Sequence, residues 1–199
     1  MKRKKGNKNK ISGFREGLKY IGESRIEIYA IIILFFAMAL ICFLNPEKFI
    51  FLDGLIRDIL NKTQDLKGAS LIGFIFLNNL KSSFWGMALG IFAGIFPVWN
   101  AIINGGILGY VFARVYEVSG AWEFWRIVPH GVFELPAIFI SLGLGVKLGE
   151  FVFYGKGWKE KWKEMKRRIL GSLNVFFYIV LPLLAIAAII EGTLINLLS

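Results

Sequence analysis

The chain of 199 residues contains one cysteine, Cys42, and one histidine, His130. A single cysteine excludes an internal disulfide framework and a multi-cysteine zinc site, and a single histidine excludes any metal centre that needs two. The HExxH zinc signature is absent as well. Charge is missing from long windows: residues 28–46, 82–113 and 169–190 carry no Asp, Glu, Lys or Arg. A soluble domain needs charge spread over its surface, so these windows exclude an ordinary globular enzyme. Apolar residues make up 56% of the chain, and 22 glycines stand outside that figure. Soluble domains reach about 45–50% with glycine included. Cys42 sits inside an apolar run, where it acts as a small hydrophobe.

The uncharged windows map onto membrane spans. About 20 apolar residues cross the roughly 30 Å hydrocarbon core at 1.5 Å per residue. Residues 28–46 form the first span. The window 82–113 is too long for one helix, and Pro97 is a helix breaker. Two helices, 71–96 and 98–116, are therefore expected to meet near Pro97. A fourth span runs over 129–154, where Pro136 predicts a kink or break. The fifth is 169–190, with a second kink expected at Pro182. The Lys/Arg-rich start resembles a signal n-region. However, the first apolar run is longer than the roughly 7–15 residues of a signal h-region, so an uncleaved anchor is expected. The fold class is all-α, a polytopic membrane bundle of about five spans, preceded by a basic segment over 1–27.

The surplus of 24 Lys+Arg over 14 Asp+Glu supports this map. Nine basic residues precede span one, and eight more fall between Lys147 and Arg168. An N-terminus in the cytoplasm puts seventeen basic residues inside and six outside, with Lys81 left near span two. Only that orientation satisfies the positive-inside rule. The charge thus needs no nucleic-acid partner.

Residues 155–168 read GKGWKEKWKEMKRR. Trp158, Trp162, Met165 and Ile169 share one helical stripe, and Lys159, Lys163, Arg167 and Arg168 supply charge. Such a helix is expected to lie on an anionic cytoplasmic leaflet. Ile11, Phe14, Leu18 and Ile21 form a second stripe suited to the membrane or a partner protein, and residues 49–60 are amphipathic on the outer side.

Lipid is as apolar as leucine, so spans associate through close approach and hydrogen bonds. Gly86, Gly90 and Gly94 form one row of small residues. Gly105 and Gly109 begin a second, and Ser141, Gly145 and Gly149 form a third. These rows predict a compact bundle and allow a homodimer. Ionisable and amide side chains at membrane depth are candidates for function. They are His130, Glu134, Asn78, Asn79, Lys81, Asn104 and Glu191. His130 and Glu134 are four residues apart, one helical face. The pair suits a proton-sharing bond, a partial metal site or a polar lock. Asn78, Asn79 and Glu191 are the only further donors, and Asn is a poor zinc ligand. No metal or cofactor is implied.

These motifs carry a resemblance. FLNN at 76–79, the glycine row 86–94, Asn104-Gly105 with Gly109, PHGVFELP at 129–136 and AAIIEG at 187–192 together resemble the stage II sporulation protein M family. The family comprises small multi-span membrane proteins. Its sporulating members work with a peptidoglycan-degrading pair during engulfment of the forespore, and relatives occur in organisms that do not sporulate. The resemblance implies a helical membrane fold and supplies no active site. The expected role is a non-enzymatic scaffold or regulatory subunit of a membrane complex. The alternatives are a permease-like subunit with an intramembrane polar site and an intramembrane metal hydrolase.

Overall fold

A computed structural model describes residues 3–126, 128–155 and 157–198 of the chain. The helices are α1 (Arg3–Glu23), α2 (Arg25–Leu44), α3 (Leu52–Thr63), α4 (Ala69–Ala88), α5 (Ile95–Ser119), α6 (Val128–Gly149), α7 (Trp158–Val175) and α8 (Leu181–Leu198). No strand occurs among the described residues. Four stretches are long and apolar enough to cross a membrane: Arg25–Leu44, Ile95–Ser119, Glu134–Phe153 and Trp158–Ile190. Large apolar side chains cover their outer faces, among them Ile33, Leu40, Ile95, Leu170 and Ile189. In water such a surface would aggregate; in lipid it is the solvated face.

α4 is the fifth long helix of the bundle. At 20 residues it has spanning length, but Asn78, Asn79 and Lys81 lower its hydropathy below that of the other four. It packs against α6 and α8 all the same. α6 is the central helix, touching α2, α4, α5 and α8.

Of the expected breaks, one falls elsewhere and one is absent. α4 ends at Ala88, a short 3-10 turn covers Leu89–Ile91, and α5 starts at Ile95. The reversal therefore lies at 89–94, not at Pro97. Ala93 and Gly94 take left-handed backbone there, with φ of 55° and 73°. Pro97 occupies the first turn of α5, where its missing N–H has no helical acceptor to lose. Pro136 lies inside an unbroken α6. One donor is lost there, and packing against four neighbours holds the helix together. Before Pro182 the chain widens into a π turn over Phe176–Val180. A π turn gives the proline ring room against the carbonyl four residues back. α7, the π turn and α8 thus run as one helical rod, so the amphipathic stretch 158–168 continues directly into the last span.

The glycine rows are consumed within the chain. A Cβ on Gly105 or Gly109 would overlap the Phe35 or Ala39 carbonyl of α2. A Cβ on Gly90 would overlap Gly145, and one on Gly149 would overlap Gly94. Gly86 faces the Leu142 side chain, where an added Cβ would come within 2.6 Å. These rows serve packing within the chain.

α1 docks on α7 and the π turn through Gly13, Gly17 and Tyr20. Phe14 and Leu18, on the stripe suited to the membrane or a partner, lie off this contact and are 46% and 50% exposed. Glycine wins the interface because two helices approach most closely where one lacks side chains.

Candidate functional site

Two polar assemblies are built into the bundle. The first lies where α1, α2, α6 and α7 converge. The Lys147 ammonium donates to Glu27 Oε1 at 2.9 Å and to the Glu23 carbonyl at 2.6 Å. The Lys147 and Glu27 side chains are only 11% and 10% exposed. One turn away, Arg168 donates to the Lys147 carbonyl, to Glu150 Oε2 at 2.9 Å and to Glu164 Oε1 at 2.8 Å. Arg167 clamps Glu164 through two bonds of 2.9 and 2.6 Å and reaches Glu23 at 3.4 Å. The Ser24 hydroxyl donates to the Tyr20 carbonyl at 2.8 Å and fixes the α1–α2 corner.

Arg168, expected on an exposed basic face, is thus buried at 7% exposure and belongs to this ionic knot. Trp158, Trp162, Lys159, Lys163 and Arg167 remain exposed. Lys166 stands over the Trp162 ring at 5.1 Å. Sequence reading missed Glu23, Glu27, Lys147, Glu150 and Glu164. The available signal was that Glu27 and Lys147 each stand at the border of an apolar run.

The opposite end carries a smaller hydrogen-bonded contact. The Tyr110 hydroxyl donates to Asp53 Oδ1 at 2.9 Å and accepts from Arg114 at 3.0 and 2.8 Å. This ties α3 to α5 beside the fully buried Cys42.

The second assembly is a groove of about 450 Å³ between α4 and α5. These two helices are neighbours in sequence yet splay apart after the 89–94 reversal. The groove gathers Asn78, Lys81, Ser82 and Gly86 from α4 with Asn100 and Asn104 from α5. Asn104 Nδ2 donates to the Asn100 carbonyl at 2.9 Å and to its Oδ1 at 2.8 Å. Behind the groove, the Ser141 hydroxyl of α6 donates to the Ser83 carbonyl at 2.6 Å.

Of the residues expected to form one intramembrane cluster, Asn78, Lys81 and Asn104 meet in this groove. Asn79 is half-buried on α4 outside the lining, and Glu134 is half-buried on α6, where it has an interaction partner. The side chains of His130 and Glu191 lie outside the described residues. Among those residues, no three of His, Cys, Asp and Glu gather as metal ligands.

A helical bundle with lipid-exposed apolar faces, polar ends and an amide-lined groove at membrane depth defines a polytopic integral membrane protein. The family model described as stage II sporulation protein M matches residues 27–194, most of the chain. The chain belongs to that family. No curated protein and no solved structure is significantly similar to it.

Proposed function

We propose that the protein is a non-enzymatic scaffold or regulatory subunit of a complex in the cell membrane, with its N-terminus in the cytoplasm. The observation that carries this reading is the platform at the knotted end. α1 is fastened to the bundle by the Lys147 bond to the Glu23 carbonyl and α7 by the buried Arg168, while their outer faces stay open. Phe14, Leu18, Trp158 and Trp162 are 46%, 50%, 75% and 46% exposed on helices rich in Lys and Arg. Exposed apolar groups on a rigid, charged surface suit a protein partner or an anionic leaflet. The basic residues before α2 and between α6 and α7 belong to this end, which supports a cytoplasmic placement.

Co-purification from mild detergent tests the reading. The wild-type chain is expected to bring down a reproducible membrane-protein partner, and Phe14→Ser with Leu18→Ser to lose it without a change in thermal stability. A monodisperse chain with no reproducible partner, across several mild detergents, would contradict a scaffold role.

A further inference from the structure

The groove between α4 and α5 has a chemistry that helix packing does not explain. Its lining holds one cation, Lys81, and no carboxylate. Lys81 is exposed and makes no hydrogen bond or ion pair among the described residues. Around it stand further donors. The Asn78 amide faces the groove. Asn104 spends its amide N–H groups on Asn100, which leaves the Asn100 Nδ2 beside Gly86, 3.7 Å from where a Cβ would be. Trp85 and Trp99 flank the site at 56% and 62% exposure and carry indole N–H groups. Donors converge and acceptor charge is missing, which is the lining an anion requires.

Depth narrows the choice of anion. Lys81 lies seven residues before Ala88, about 10 Å along the helix from the end of α4. Side chains leave an α-helix tilted toward its N-terminus. The Lys81 stem therefore starts away from the near end of α4 and toward its far end, about 18 Å off. A cation so placed is poorly set to snorkel to water, and it gains most from a counter-charge delivered within the bilayer. A free anion would have to enter hydrocarbon to arrive. A lipid headgroup can slide in sideways between two lipid-facing helices while its chains stay in the membrane.

We infer that this groove binds the phosphate of an anionic lipid from the leaflet at the knotted end. Lys81 Nζ and the amides of Asn78 and Asn100 hold the phosphate oxygens, and Trp85, Phe96 and Trp99, nearer the knotted end, flank the headgroup. The inference does not depend on the scaffold reading.

Native mass spectrometry of the full chain in dodecyl maltoside tests it, with phosphatidylglycerol and phosphatidylcholine added at matched concentrations. One tightly held phosphatidylglycerol is expected, favoured over phosphatidylcholine by about tenfold, the worth of about one charge-assisted hydrogen bond. Lys81→Gln and Asn100→Leu, each with an unchanged thermal midpoint, should lower that preference at least about fivefold. Lys159→Gln with Lys163→Gln, on the outer basic surface, should leave it intact. The inference is overturned if both groove variants keep the wild-type preference. It is also overturned if millimolar inorganic phosphate displaces the lipid, which would make the groove a free-anion site. Loss of a dimer in place of a lipid on Lys81→Gln would assign the groove to a second copy.

Discussion

Gly109→Ala is expected to lower the thermal midpoint of the purified protein by about 10 °C, and Gly109→Leu to prevent folding. α2 and α5 form the closest long helix pair in the bundle. At Gly109 a Cβ would lie inside the Ala39 carbonyl, and one turn earlier the same holds for Gly105 and Phe35. The obstacle is backbone, which cannot rotate aside like a side chain, so the helices must separate along the whole seam. Overpacking costs about 1–3 kcal/mol and sometimes more. The upper part of that range, at about 2–4 °C per kcal/mol for a chain of this size, gives the stated shift. Gly73→Ala is the control. Nothing lies within 4 Å of its added Cβ, and the midpoint should move by less than about 2 °C. Fluorescence-detected size exclusion after heating reads both variants.

Lys147→Met is expected to destabilise the protein by about 3–5 kcal/mol, because it strands a buried carboxylate on Glu27. Glu27→Leu should cost a similar amount by stranding the ammonium. The double variant Glu27→Leu with Lys147→Met should be more stable than either single one, since neither charge is then left buried. A buried pair is often no better than an apolar pair of the same size; the penalty comes from breaking it halfway. The same heating measurement on the four members of the cycle checks this. Additive losses would show that the pair is not coupled and that the 2.9 Å contact contributes little.

Four apolar stretches of spanning length were legible in the sequence because lipid excludes charge, and charge-free windows are easy to read. The breaks were less legible. Pro97 sits at the start of a helix and Pro136 within one, and the residue type does not distinguish the two. The reversal depends on positive φ at Ala93 and Gly94, a tertiary outcome of packing against α6. The glycine rows were visible as rows, but not which helices they face. Three of the seven residues in the candidate cluster, Asn78, Lys81 and Asn104, do meet. Asn100, four residues before Asn104, proves to be its bonded partner. The ionic knot was not legible, since Glu27 and Lys147 are separated by 120 residues. Its local part, Glu164 with Arg167 and Arg168 at i+3 and i+4, follows a spacing that sequence can show.

In the proposed topology α4 crosses the membrane and the knotted, basic end lies in the cytoplasm. Single-cysteine labelling in intact cells with a membrane-impermeant maleimide tests it most directly. The native Cys42 is fully buried and should stay silent. Gly54 lies beyond α2 and Gly157 just before α7, both exposed with no atom within 4 Å of an added Cβ. Gly54→Cys is expected to label from outside, and Gly157→Cys only after the cells are permeabilised. Labelling of both from the same side, or of Gly157→Cys alone in intact cells, would contradict the topology.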